Sequence, residues 1–509
     1  MNERERASKT AKTSPQKPLI ESANRSPLVT IGYLLVLLAA IFAINFGRQL
    51  SGDVYSHLKT GEWIATHRSF PWPDPFSYTA TKQWIFHEWA FQVFAWFVSR
   101  ISFEFLTWLC FGLVAGALVL VFFTARSQAS IPAAFLVSVL TAGVSADMVD
   151  VRPNVAGILA FAVLVWGVEN GARSGKGLPY WLPLLFLVWA NLHGSFISGL
   201  LLLGVECVAA FYTAFREKNK KIDYSIPLRN LAVTFGCGVA VLVNPNGLSL
   251  YAYPFKTVGH GEMTSIIAEW MPPDFRSLFG AFLCVLILVL IFAISQSSKP
   301  LRPRTLAMIV VFLSASLMAK RIGPLFAIAV APALASLITP LLSRLLENRW
   351  RAWVIGILVI AAVSGGVAYR ISDIDGMDVF TYVTSSDVFP AAACDFILKE
   401  RPPGPMFNEL NYGSYLIWRL WPKYKVFIDN RDDIFYEGAF EDFVRVAMVG
   451  GNSVWRKIFD KYGVNLVIIM PDTLLADVLT EAPDWQRIYQ DDKAVIFVRR
   501  VPYKRAVSM

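Results

Sequence analysis

The chain alternates apolar blocks with polar loops, and every second loop is basic. The first block covers residues 28–46. The others cover 103–124, 131–146, 154–169, 178–192, 196–215, 229–244, 278–295, 305–319, 323–343 and 352–369. This pattern predicts an α-helical polytopic membrane protein with about eleven transmembrane helices. Several blocks fall short of the ~20 residues that a hydrocarbon core of about 30 Å requires, so those helices are expected to enter deeply or to thin the bilayer locally. Two stretches depart from the pattern. The loop 49–102 holds two amphipathic runs, 54–67 and 84–100, joined by a turn containing Pro71, Pro73 and Pro75. The second run is strongly aromatic (Trp84, Phe86, Trp89, Phe91, Phe94, Trp96, Phe97) and is expected to lie as a helix in the interface plane. Residues 370–509 have ordinary globular composition. Short β-rich runs at 406–410, 425–429, 464–470 and 494–499 alternate there with helical ones at 391–400, 440–449, 454–462 and 474–480. The alternation predicts a small α/β domain. It contains neither a G-x-G-x-x-G run nor a P-loop, so a nucleotide site of either kind is not expected. Residues 1–27 are basic and contain three prolines, the composition of a disordered cytoplasmic tail. The block 28–46 lacks a small-residue cleavage site and reads as an uncleaved first span, not a signal peptide.

Composition sharpens this. Hydrophobic residues make up 55% and charged residues 17%, whereas a soluble protein carries about a quarter charged. A soluble enzyme, a disordered chain and a nucleic-acid partner are excluded as the main reading. The net charge of +9 instead reports loop placement. Arg126, Arg173 with Lys176, the run Arg216-Lys218-Lys220-Lys221, Lys299 with Arg302 and Arg304, and Arg344 with Arg349 and Arg351 fall on alternate loops. The positive-inside rule makes those loops cytoplasmic. The amino terminus is then inside, and an odd number of spans leaves the domain 370–509 outside, together with the loop 49–102. Four of the five cysteines sit in apolar blocks, which leaves no disulfide framework.

All five histidines (His57, His67, His87, His193, His260) lie in or next to stretches assigned to the outer side. The most suggestive run follows the first span directly, where Asp53 and His57 are four residues apart and share a helical face. Asp53 at the membrane surface can act as a general base; equally, it can cap the helix it opens. His87-Glu88-Trp89 offers a second carboxylate but lacks the H-E-x-x-H spacing of a zinc protease. In the turn 146–154, Asp147 and Asp150 are three apart, and Arg152 can fork onto a phosphate or simply neutralise Asp150. Asn191-Leu192-His193-Gly194 can bind a phosphate or sugar, or pair broken backbone. Glu269-Trp270 sets an acid beside an aromatic ring. Lys320 and Arg321 run against the positive-inside trend, which an anionic ligand would explain. Glu206, inside a span, is costly to bury unless a neighbouring helix pairs with it.

These features together resemble the GT-C superfamily of integral membrane glycosyltransferases. The likeness rests on a first span running into a large outer loop that opens with an acid, on many further spans, and on an outer carboxy-terminal domain. More closely, Asp53-x-x-x-His57-Leu58-x-Thr60-Gly61, Asp74-Pro75-Phe76-Ser77-Tyr78-Thr79, Trp84-x-x-His87-Glu88-Trp89, Asn244-Pro245-x-Gly247, Glu269-Trp270, Tyr415-Leu416-Ile417-Trp418 and Phe427-Ile428-Asp429-x-Arg431 look like an uncharacterised bacterial branch of that group. The W-W-D-Y-G run of oligosaccharyltransferases is absent, as is the acidic pair that protein mannosyltransferases carry after the first span. The resemblance implies a bacterial inner-membrane enzyme. Its sugar donor would be linked to a polyprenyl phosphate, and its acceptor would be an envelope glycan, lipid or protein outside the membrane. Asp53 would be the base, with Glu88 as the second catalytic carboxylate. His57, His87, Arg152, His193, Glu269, Lys320 and Arg321 would bind substrate. The resemblance leaves room for a divalent metal held by Asp53, His57, His87 or Glu88, although no ligand spacing specifies one. The rival functions are a lipid-linked-sugar flippase, at which only Glu206 and Glu169 hint, and a non-catalytic envelope scaffold. Asp429 and Arg431 are expected at a strand end, where open α/β sheets place ligands.

Overall fold

The computed structural model describes residues 26–46, 51–82, 84–216, 223–259, 267–298, 300–373, 388–431, 434–435, 438–448 and 454–503. Most of the expected tail, the basic run 217–222, Lys299 and His260 lie outside these residues. Among the described residues, eleven apolar helices overlie the eleven apolar blocks: Pro27–Asn45, Phe103–Arg126, Ile131–Val144, Asn154–Ser174, Leu182–Leu192, Phe196–Arg216, Ser225–Val241, Leu278–Ser295, Pro303–Met318, Gly323–Leu346 and Arg349–Ser372. Seven are long and apolar enough to cross a membrane; Ile131–Val144, Leu182–Leu192, Ser225–Val241 and Pro303–Met318 are shorter. The protein is a multi-pass membrane protein. The short helix Ile131–Val144 shows how a short segment is accommodated. Nearly all of it is buried against Pro27–Asn45, Phe103–Arg126, Leu278–Ser295 and Gly323–Leu346, so protein, not lipid, surrounds it. Polar side chains start several spans: Ser102 accepts from Phe105 N–H, Ser277 from Gly280 N–H, and Asn348 from Trp350 and Arg351 N–H. Such caps satisfy donors that a helix start leaves open.

Three charged residues from different spans meet in one cluster. Arg304 donates to Glu169 at 2.6 Å and also to Glu206. This cluster sits near the bundle end opposite Asn154 and Arg321, since Glu169 lies late in Asn154–Ser174 and Arg304 opens Pro303–Met318. Glu206 is therefore a paired interhelical carboxylate.

Above the bundle, helix Asp53–His67 packs on helix Trp89–Ser99 and on helix Gly413–Leu420 of the carboxy-terminal domain. Gly61 permits the first of these contacts: a Cβ there would lie 2.1 Å from the Gln92 carbonyl oxygen. The second amphipathic run is helical only over Trp89–Ser99, not 84–100. Trp84 and Phe86 are instead buried in one core with Phe407, Phe427 and Phe443 of the carboxy-terminal domain, called the outer domain after the side expected for it. Both rings gain more by burial in that core than a helix would leave them, so tertiary burial overrides the helical reading.

The outer domain carries a four-stranded mixed sheet, β1 (Met406–Asn408), β2 (Leu466–Ile469), β3 (Trp485–Gln490) and β4 (Val495–Arg499), in the order β1-β2-β4-β3. β1 runs parallel to β2, and β4 is antiparallel to both β2 and β3. Two details differ from the sequence reading. The run 425–429 forms no strand and bends at Phe427; among the described residues its one bridge is Ser77–Val426. Its backbone is satisfied by Phe76 O, which accepts from Val426 N–H, and by the Asn408 carboxamide, which bonds Phe427 N–H and Ile428 O. β3 is a half-exposed edge strand with a register shift between Arg487 and Tyr489, which breaks the period-2 pattern that would have marked it.

Candidate functional site

Where the bundle meets the outer domain, a cavity of about 730 Å³ opens. Its walls come from the start of Asp53–His67, the turn at 84–88, the segments 148–158, 193–198, 267–270 and 321–325, and the outer-domain residues 409–411 and 430–431.

Arg152 is the hub of one half. It is held in the turn before Asn154–Ser174, which Asn154 fastens by donating to Met148 O at 2.9 Å. Its Nη1 donates to Asp53 Oδ2 at 3.1 Å and also pairs with Glu269, while Nε lies 3.1 Å from Asp150 Oδ2. Three carboxylates thus share one guanidinium. Burial pushes the Asp150 carboxyl up to about 6; Arg152 works against that, and Asp53 adds to it. Burial also opposes ionisation of Glu269, but Arg152 and Arg321 outweigh it and hold that carboxyl below its usual range. Asp53 opens its helix without closing a cap: Ser51 Oγ accepts from Asp53 N–H at 3.1 Å, and the Asp53 carboxylate turns to Arg152 and to the Asn430 amide.

Glu88 centres the other half. His87 Nε2 lies 3.2 Å from it, His193 Nε2 3.8 Å and His57 Nδ1 3.9 Å. The His193 tautomer follows from its neighbours. Ser195 N–H donates to His193 Nδ1, and Ser195 Oγ, which accepts from Trp189 Nε1, sits 2.7 Å from the same nitrogen. The proton is thereby assigned to Nε2, facing Glu88. Gly157 makes room for this pair, since a Cβ there would lie 2.3 Å from Ser195 Oγ. Burial pushes His193 down to about 3 and lowers His57 as well, against the pull of Glu88 on both. Burial works against Glu88 too, but His87, with His57 and His193 behind it, holds the carboxyl well below the ordinary range.

Asp53, His57, His87, Glu88, Arg152, His193, Glu269 and Arg321 all line this single cavity. Lys320 does not; it pairs with Asp147 at 2.6 Å, so the two acids of the turn 146–154 serve different partners. Arg321 lies 4.4 Å over the Trp270 ring, and among the described residues no carboxylate pairs with its guanidinium. Asn191 and Asn244 are used in bracing: Asn191 bonds Trp89 Nε1, Leu187 O and Val243 O, and Asn244 bonds Ala190 O. Asp429 and Arg431 are not at a strand end. Arg431 makes two bonds to Asp74, at 2.7 and 3.1 Å, and chelates Asp429, tying the loop after Asp53–His67 to the outer domain. Reading the sequence missed Glu409, Asn411 and Asn430, whose contact with the site spans hundreds of residues and leaves no local pattern. Among the described residues, no group of three or more His, Cys, Asp or Glu is arranged to hold a metal ion. Asp53, Asp150 and Glu269 face the Arg152 guanidinium instead.

No family model and no curated protein sequence matches the chain. Solved structures do. The Archaeoglobus fulgidus oligosaccharyltransferase tethered with an acceptor peptide is 10% identical, with TM-score 0.57 over 87% of this chain and 69% of that one. AglB of the same organism, in complex with an inhibitory peptide and a dolichol-phosphate, is 12% identical with TM-score 0.55, over 87% and 69% of the two chains. The arabinofuranosyltransferase AftD from Mycobacteria is 10% identical with TM-score 0.51, over 93% of this chain and 40% of that one. At these identities the likeness is one of fold.

Proposed function

This chain has the GT-C fold, and we propose that it is a membrane glycosyltransferase that moves a sugar from a polyprenyl-phosphate donor to an acceptor outside the cytoplasm of a bacterial cell. The observation that carries the reading is the convergence of Asp53, Glu88, Arg152, His193, Glu269 and Arg321 on one cavity beneath the outer domain. A lipid phosphate and a polar acceptor would meet there. AglB, which shares the fold, is described in complex with a dolichol-phosphate, and that supports a lipid-phosphate donor here.

In this reading the acceptor hydroxyl gives its proton to Asp53 while its oxygen attacks the anomeric carbon from the face opposite the phosphate. The bond from that carbon to the phosphate oxygen breaks, and the electron pair leaves on the polyprenyl phosphate. Arg321, the cavity cation with no carboxylate partner among the described residues, suits the charge that develops there. Arg152 orients Asp53, and Glu88 with its imidazoles shapes the opposite wall. A flippase would want charges lining the spans at mid-depth, whereas Arg304 bridges Glu169 and Glu206 and none of the three lines the cavity. The direct test compares envelope glycans and glycolipids of a deletion strain with those of the parent by mass spectrometry, after complementation with wild type or Asp53→Asn. An unchanged envelope profile in the deletion strain rejects the reading.

A further inference from the structure

The wall contributed by the outer domain has a chemistry of its own. Glu409 lines the cavity at the end of β1, and among the described residues no cation pairs with its carboxylate. Burial pushes that carboxyl above its usual range, with the Leu410 N–H working against it, and a carboxylate accepts hydrogen bonds from hydroxyls. Beside it in the same wall stand Asn411 and Asn430, and a carboxamide both donates and accepts. Asn430 also reaches Asp53, its Nδ2 donating to Oδ1, which puts this wall next to the proposed base. Trp84 and Phe443 border it.

We infer that Glu409, Asn411 and Asn430 form the acceptor subsite, and that the acceptor they take is a carbohydrate. The inference rests on the glycosyltransferase reading above. Vicinal hydroxyls each donate and accept, which is the pattern this wall complements. A peptide held as an added strand would need an open sheet edge. The free side of β1 is already closed, because Asn408 bonds Phe427 N–H and Ile428 O across it.

The test uses the full chain in lipid nanodiscs and saturation-transfer NMR with methyl glycosides (α-mannoside, β-galactoside, α-arabinofuranoside) beside a short Ser/Thr/Asn-containing peptide. At least one glycoside is expected to receive saturation from wild type, competed by a longer oligosaccharide of the same sugar. Its affinity should fall about ten-fold in Glu409→Ala, the scale for losing a charge-assisted hydrogen bond, and less in Glu409→Gln, which keeps the shape. Asn430→Ala should weaken it too. Native mass spectrometry of retained undecaprenyl phosphate, with Arg321→Ala as control, reports the donor side separately. Glycosides that bind the variants as well as wild type, or no glycoside binding beside clear peptide binding, would overturn the acceptor assignment even if lipid retention is intact. Loss of lipid retention in wild type counts against the donor reading alone.

Discussion

Nη1 of Arg152 donates to Oδ2 of Asp53 at 3.1 Å, across a sequence separation of 99 residues. The bond joins the helix that follows the first span to the turn ahead of Asn154–Ser174, and it aims the Asp53 carboxylate into the cavity instead of at its own helix end. Because Arg152 also serves Asp150 and Glu269, replacing any one acid leaves the guanidinium partnered.

Asp53→Asn is therefore expected to fold normally while turnover with a defined lipid donor falls by about 10² or more, the scale for losing a general base. Donor affinity should change less than turnover. Glu88→Gln should cost less, since His87 already engages that carboxylate. A larger loss in Glu88→Gln than in Asp53→Asn would move the base to Glu88.

Arg152→Ala leaves three carboxylates facing one another without their cation. Removing one member of such a buried network typically costs about 3 kcal/mol or more, so its melting temperature should drop clearly, whereas Arg152→Lys should recover part of the loss.

Asp150 gives a pH signature. Its folded pKa, about 6, lies above the ordinary 3.8, so the native state holds this proton more tightly than the unfolded chain does. The group's contribution is then most favourable below the unfolded pKa and is lost as pH rises through about 6. Asp150→Asn should flatten the fall in melting temperature between pH 4 and pH 7. Parallel slopes for wild type and variant would reject the assignment.

Asp74 and Arg431 are both nearly fully buried. Asp74→Ala leaves Arg431 with Asp429 as its remaining acid among the described residues, and a loss on the order of 3 kcal/mol is expected. Hydrogen exchange should accelerate over residues 70–82, the segment this pair ties to the outer domain. Unchanged protection there would make the pair incidental.

Topology is open to a reporter. With the basic loops inside, a phosphatase fused after Met509 should be active, and an inactive but well-expressed fusion reverses the orientation.

The sequence by itself determined the bundle. Lipid demands long apolar helices, so the helix Leu278–Ser295 and its counterparts can be read directly from runs of Leu, Val, Ile and Phe. It also singled out Asp53, Glu88, Arg152, His193, Glu269 and Arg321, because charge and histidine stand out where apolar residues are the rule. Tertiary structure alone decided how they are used. Nothing local in the sequence says that Lys320 pairs with Asp147 while Arg321 turns to the cavity, since both sit at the same span end and only packing separates them. Trp84 and Phe86 look helical until the outer domain offers them a core, and 425–429 looks like a strand until Asn408 and Phe76 satisfy its backbone. Asn430 and Glu409 stayed invisible for the same reason: hydrophobic periodicity reports burial along one element, whereas a polar site is assembled from elements hundreds of residues apart.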